Sequence, residues 1–170
     1  VPPVTVQAPA AGLMPPDPFA VPGASAFARP VPSAGRTVVR FDDEPGFGAV
    51  VEAFESAGVD LYVVGGAVRD RLRGVAHNDM DLTTPARPEE VRGIVERLGR
   101  VYDTGIEYGT VGVAVDGKVF EITTFRSEVY TPGDRRPDVD YDTGLEGDLA
   151  RRDFTINAVA AHAATGEVID

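Results

Sequence analysis

The sequence predicts an α/β domain, a mixed sheet with flanking helices, over residues 41–170. Two segments carry apolar residues at the 3.6-residue period of an amphipathic helix: Phe47, Val50, Val51 and Phe54 in one, Val91, Ile94, Val95 and Leu98 in the other. Around them stand segments of strand length, "DLYVV" at 60–64, "HNDMDLTT" at 77–84, "TVGVAV" at 110–115 and "KVFEITTF" at 118–125. The two kinds interleave along the chain without an internal repeat, the pattern of helices packed on a sheet.

Each element has a local reason. The first helix, in "PGFGAVVEAFESAG", stops at Gly58. The strand at 60–64 ends at Gly65-Gly66, where "AVRDRLRG" (67–74) opens a helix. The helix in "RPEEVRGIVERLG" has Pro88 early and Glu89 and Glu90 in its first turn, both suited to a helix start. Asp116-Gly117 joins the runs at 110–115 and 118–125 into a hairpin. Residues 127–148 are polar and turn-rich, with seven acids against two arginines, and a segment that long without periodicity is functional or disordered. "LARRDFTINAVAAHA" (149–163) closes the pattern as an expected helix.

Residues 1–40 read differently. Nine of the fourteen prolines fall in the first 36 residues, among alanine, valine and glycine with no period, which predicts a disordered tail leaning to polyproline II. The chain opens on Val rather than Met and stops within a patterned region, so it is read as a C-terminally truncated piece of a longer protein.

Composition excludes several function classes. Cys is absent, which removes disulfides and thiolate metal sites and fits a reducing cytoplasm. No run approaches the roughly 18 uninterrupted apolar residues of a membrane span, and no secretory pattern stands at the start. Of the net charge of −11, residues 1–36 contribute +1 (Arg29 and Arg36 against Asp17), leaving −12 on the remainder. That argues against a broad duplex-binding face, which needs clustered Lys and Arg. It leaves open a site that handles phosphates through a metal ion.

The candidate chemistry begins with Asp79 and Asp81. On a strand both carboxylates point one way while Met80 and Leu82 point into the core. Side by side they repel, and a hard divalent cation between them removes the repulsion; carboxylate oxygens suit Mg²⁺, which keeps positions open for phosphate oxygens. A solvated strand end with two surface acids is the other reading. Gly65 and Gly66, at a strand-to-helix turn, let backbone N–H groups approach a phosphate, with Arg69 one turn on; a tight turn without a ligand uses the same residues. Glu121 completes a carboxylate cluster if its strand neighbours that of Asp79, and is otherwise an exposed strand residue. Arg151, Arg152 and Asp153 precede an apolar run, with Asn157 one turn beyond Asp153. Arginines at a helix start oppose its dipole and point to a partner, while a surface helix with an Arg–Asp pair is the plainer alternative. His77 is read as a solvated loop residue, and His162 has no evident partner. No Ser–His–Asp constellation, His-rich metal spacing or P-loop is present.

Together "VVGGAVRDRLRG", "NDMDLTT" with "ARPEEV", "FEITTFR" and "GDLARRDFTINAVA", in that order, resemble the head domain of class II tRNA nucleotidyltransferases (CCA-adding enzymes) and bacterial poly(A) polymerases, over about residues 45–170. The resemblance implies a polymerase-β-like nucleotidyltransferase fold. It implies Mg²⁺ on Asp79 and Asp81, with Glu121 as third carboxylate, and a nucleotide bound by Gly65, Gly66, Arg69, Arg152, Asp153 and Asn157. CTP and ATP would be the donors and the tRNA 3′ end the acceptor, held mainly by neck, body and tail domains beyond this chain, so the fragment alone is expected to be inactive or weakly active. A poly(A) polymerase, an enzyme adding only CC or only A, and a non-catalytic nucleotide- or RNA-binding module are the alternatives. The proline-rich tail is not part of that family's pattern.

Overall fold

The computed structural model of the chain describes residues 36–77, 79–105, 108–129, 138–141 and 143–170. The expected tail over residues 1–35 and the centre of the polar segment, 130–137, lie outside the described residues. The folded unit begins at Arg36, ahead of the boundary expected at 41. Val38 bridges Glu167, and Val39 and Phe41 are buried in the core.

In chain order the elements are α1 (Phe47–Ala57), β1 (Tyr62–Val64), α2 (Gly66–Arg73), β2 (Asp81–Thr84), α3 (Pro88–Val95), β3 (Arg100–Gly105), β4 (Thr110–Val115), β5 (Lys118–Thr124), β6 (Ser127–Val129), β7 (Asp138–Asp140), α4 (Leu145–Ala150), a 3-10 turn at Thr155–Asn157, β8 (Ala160–His162) and β9 (Val168–Ile169). Among the described residues, seven strands form one mixed sheet in the order β3-β4-β5-β2-β1-β8-β9, and β6 pairs with β7. Within the large sheet β2 and β5 run parallel and the other neighbours antiparallel.

The sheet's two faces differ sharply. Val63, Leu82, Ile122, Phe120, Val113 and Val111 point to one face and form the main core with Phe47, Val50 and Phe54 of α1, Val68 of α2, and Val91 and Val95 of α3. The helices therefore bury the stripes that their periodicity marked out, and this burial is the main source of stability. Gly58 ends α1 at φ +68°, its N–H donating to the carbonyls of Glu55 and Phe54. Asp116 and Gly117 both take positive φ, 50° and 80°, as a two-residue hairpin turn requires. The opposite face is exposed at Asp81 on β2 and at Val119 and Glu121 on β5. At its other end Val64, Ala160 and Leu149 form a small second cluster that seats α4 on it.

One expected element is corrected. Residues 149–163 are not a helix: α4 ends at Ala150, the chain bends, and Ala160–His162 becomes β8. The pairing of β8 with β1, Val64 against Ala160, supplies backbone partners on the side of β1 away from β2. That demand overrides the local apolar spacing. Phe154 and Ile156, apolar positions of the expected helix, are exposed. The strand expected at 77–84 is shorter and starts at Asp81, while β3, β6, β7, β8 and β9 are not among the expected strands.

The chain enters β3 through Gly99, where a Cβ would overlap the carbonyl oxygen of Ala114 on β4, whereas a Cβ at Gly93 on the exposed side of α3 would meet nothing. Gly99→Ala is expected to destabilise the fold by roughly 1–3 kcal/mol. Gly93→Ala is expected to stabilise it by about 0.5–1 kcal/mol. Urea denaturation would find Gly99→Ala no less stable than wild type if β3 did not enter the sheet so closely.

Candidate active site

The site forms where the ends of β1 and β2 meet the open sheet face. Asp79 and Asp81 are exposed, and Met80 and Leu82 between and after them are buried, as alternation demands. Only Asp81 lies on the strand proper; Asp79 belongs to the extended approach to it. The parallel pairing of β2 with β5 sets Asp81 level with Glu121, so the condition placed on Glu121 is met in the backbone register. Asp79, Asp81 and Glu121 line one open cleft of about 600 Å³ together with Lys118, Val119 and Gly117. Lys118 is tied to Glu44 from the segment preceding α1.

On the other side of Asp81 its register partner is Val64, the last residue of β1. Gly65 follows at φ +71°, ψ −132°, a conformation open in practice only to glycine, and its N–H donates to the carbonyl of Val159 at 2.9 Å. Val64 lies one strand spacing, about 4.8 Å, from Asp81, and α2 starts two residues beyond it. A Cβ on Gly65 would stand 3.4 Å from Nη1 of Arg152 and one on Gly66 3.6 Å from Nη2 of Arg69, so the two guanidinium groups flank a bare stretch of backbone. Arg69 donates through Nη1 to Oδ1 of Asn157 at 2.6 Å and through Nε to Asp70 at 2.8 Å. The hydrogen bond to Asp70 raises the Arg69 pKa further and holds the Asp70 carboxyl below its usual value.

Arg152 is positioned by a residue that the sequence reading passed over. Asp148, on α4, is completely buried. It accepts from Nη2 of Arg152 at 3.2 Å, from Nε of Arg151 at 3.0 Å and from the backbone N–H of Arg126 at 3.3 Å. The signal was present: Asp148 stands three and four residues ahead of the two arginines, the spacing at which helical side chains meet. What could not be read was its burial, since α4 docks through Leu149 on Val64 and Ala160. Nε of Arg152 is buried and has no hydrogen-bond partner among the described residues.

The remaining expected residues divide. Asn157 joins the site through Arg69, but from the 3-10 turn rather than from one turn of a helix. Asp153 is exposed at the bend after α4. His77 is not solvated: its side chain is 5% exposed, lies against the Phe41 ring at 5.6 Å between centroids, and puts Nε2 3.3 Å from Glu44. The segment before α1, unassigned in the sequence reading, covers it. His162 has partners after all, with Asp60 at 3.5 Å and an edge-on contact to Tyr62.

The arrangement sets oxygen donors beside cationic donors. The pair Asp79 and Asp81 offers only carboxylate oxygens, the donor type of a hard divalent cation. Among the described residues no three His, Cys, Asp or Glu side chains form a ready metal cluster. The protein thus supplies a pair, with Glu121 alongside in register. A bridging polyphosphate, its charge met by Arg69 and Arg152 and by such a cation, matches this division.

The model of the "Poly A polymerase head domain" matches residues 61–170. The chain belongs to that family. It is 48% identical over 122 residues to the CCA-adding enzyme of Latilactobacillus sakei and 45% identical over 122 residues to that of Enterococcus faecalis, covering 71% of this chain in each case. The head domain spans about 30% of the length of these curated relatives. Among solved structures it is similar to the Bacillus stearothermophilus CCA-adding enzyme in complex with CTP, with a TM-score of 0.61 and 38% identity over 75% of this chain and 30% of that one. It is also similar to a tRNA nucleotidyltransferase complexed with a primer tRNA and an incoming ATP analog, with a TM-score of 0.56 and 31% identity over 71% of this chain and 34% of that one. The expected nucleotidyltransferase fold is therefore the observed one. Among the described residues no helix of the head domain is long and apolar enough to cross a membrane.

The burial of Asp148 beneath two arginines carries a prediction. Asp148→Ala leaves Arg151 and Arg152 without their shared carboxylate, and loss of one partner of a buried ion pair costs about 3–5 kcal/mol. Chemical denaturation of this variant should show a loss on that scale. A loss no larger than that from an exposed acid such as Glu89→Ala would place Asp148 at the surface.

Proposed function

We propose that this chain is the catalytic head of an RNA nucleotidyltransferase of the CCA-adding kind, which transfers CMP and AMP from CTP and ATP to the tRNA 3′ end and releases pyrophosphate. The observation that carries the reading is the junction of β1 with β2, where the Asp79–Asp81 pair stands beside the glycine turn flanked by Arg69 and Arg152. The 48% identity to a CCA-adding enzyme supports the choice of acceptor. A poly(A)-adding enzyme, or one adding only CC or only A, would use the same chemistry. A purely binding module has no need for a repulsive carboxylate pair.

Asp79 and Asp81, with Glu121 beside them, would hold Mg²⁺. When bound, Mg²⁺ supplies charge neutralisation at the α-phosphate and lowers the cost of ionising the attacking hydroxyl. The chain does the positioning. Gly65 and Gly66 let the triphosphate lie against the backbone at the start of α2. Arg69 and Arg152 meet its negative charge, Arg69 steadied by Asn157 and Asp70, Arg152 by Asp148. The RNA 3′-hydroxyl oxygen attacks the α-phosphorus as the bond to the pyrophosphate oxygen breaks, and positioned charge is what the protein contributes to that step.

Calorimetric titration of this chain with CTP and with ATP tests the reading. Binding is expected to require Mg²⁺ and to vanish in Asp79→Ala/Asp81→Ala. Arg152→Ala, in the protein extended through its downstream domains, is expected to lower turnover roughly 10²–10³-fold, the range for loss of one transition-state donor. Nucleotide binding that is indifferent both to Mg²⁺ and to the aspartates would contradict it.

A further inference from the structure

The row that carries Asp81 continues across the open face. Asp81 on β2 is level with Glu121 on β5, Glu121 with Gly112 on β4, and Gly112 with Tyr102 on β3. Partners in register point to the same face, so two carboxylates, a bare glycine and an aromatic ring stand in line. Three strand spacings of about 4.8 Å separate the ends, about 14 Å from Asp81 to Tyr102. Here the face forms a second open cleft of about 520 Å³, lined by Tyr102, Tyr108, Gly112, Thr110, Val119 and Glu121. It runs on from the carboxylate cleft, since Val119 and Glu121 line both. Tyr108 is 59% exposed and Val119 53% exposed. Gly112 keeps the floor low; a Cβ there would lie 3.4 Å from Cβ of Tyr102.

The two sides of the carboxylates offer different chemistry. Arg69, Arg152 and the glycine turn lie toward β1 and suit a triphosphate. Toward β4 and β3 the lining is aromatic and flat, with Arg100 stacked over Tyr102 at 5.2 Å from its centroid. In-line phosphoryl transfer needs the attacking and leaving oxygens on opposite sides of phosphorus. With the triphosphate on the β1 side, the attacking strand approaches from the β4 side. Tyrosine rings on an open groove stack with bases of any identity.

We propose that the strip from Gly112 to Tyr102 and Tyr108 is the platform on which the 3′-terminal bases of the single-stranded RNA acceptor stack. The proposal rests on the nucleotidyl-transfer reading for its direction of approach. Arg100 is placed to meet a phosphate of the same strand. Arg126 braces the turn, donating to the Tyr108 carbonyl at 2.6 Å while its backbone N–H is held by Asp148. One buried carboxylate thereby steadies both the triphosphate side and the acceptor side.

The test is a short single-stranded RNA ending in CC, with 2-aminopurine next to its 3′ end, titrated with this chain and followed by fluorescence. Wild type and Tyr102→Phe are expected to quench the probe equally. Tyr102→Ala is expected to weaken RNA binding by about 5- to 150-fold, the range for loss of one stacked base, and to relieve quenching. Tyr108→Ala, at an exposed position where folding is not at stake, is expected to do the same in the same range. CTP·Mg²⁺ binding, measured in parallel by calorimetry, is expected to be unchanged in all three. The platform is overturned if both alanine variants bind and quench like wild type, if Tyr102→Phe fails as Tyr102→Ala does, or if wild type does not quench the probe. Quenching that follows the tyrosines in a chain that binds no CTP·Mg²⁺ supports the platform while removing the nucleotidyl-transfer reading.

Discussion

Within the large sheet, the pairing of β2 with β5 is parallel where the other neighbours are antiparallel, and its register sets residue 81 against residue 121. The open face is arranged by that choice. A slip of β2 by one residue would turn Asp81 into the core and bring Leu82 out to solvent, and a slip of β5 would do the same to Glu121 and Ile122, since side chains alternate with period two. The core prevents it: Leu82 and Ile122 are fully buried against the helices, so the hydrophobic face enforces the register on which the polar face depends. The same ladder fixes the Gly65 turn through Val64 on one side and Gly112 and Tyr102 on the other. Stability and chemistry thus use opposite faces of one set of backbone hydrogen bonds.

Asp148 plays the corresponding part among the side chains. A carboxylate wholly out of water is tolerated only where charge and hydrogen bonds surround it, and here Arg151, Arg152 and the Arg126 N–H do so. The contact is reciprocal, because it restricts Arg152 to the side of α4 that faces the glycine turn. Holding a long side chain in advance removes ordering entropy that a ligand would otherwise meet on binding. Arg69 is held in the same manner by Asp70 and Asn157. An acidic chain therefore presents an ordered cationic corner beside its carboxylates despite its overall charge.

Much of this was legible from local pattern. The period of α1 and α3, the Asp-Gly hairpin, the glycine turn and the alternation of Asp79, Met80, Asp81 and Leu82 all depend on near neighbours in sequence. The neighbourhood of Asp81 and Glu121 was not legible, because a parallel pair joins strands through a long connection and leaves no local trace. Residues 149–163 depart from their local pattern for a related reason. Their apolar spacing fits a helix, but the side of β1 away from β2 needed backbone partners, and Ala160–His162 supplied them. His77 looked solvated because nothing nearby in sequence announces that Phe41 and Glu44 cover it.

The carboxylates at the β2–β5 register are proposed as a specific divalent-cation site on a chain of net charge −11, which offers many other acids. Paramagnetic broadening of backbone amide resonances on addition of Mn²⁺ with CTP tests it most directly. Broadening is expected to centre on Asp79, Asp81 and Glu121 and to fall off with distance from them, reaching Gly65 and Gly66 beside Val64, the register partner of Asp81. Broadening spread over exposed acids such as Glu52, Glu89 and Glu90, and no stronger at Asp81, would contradict it.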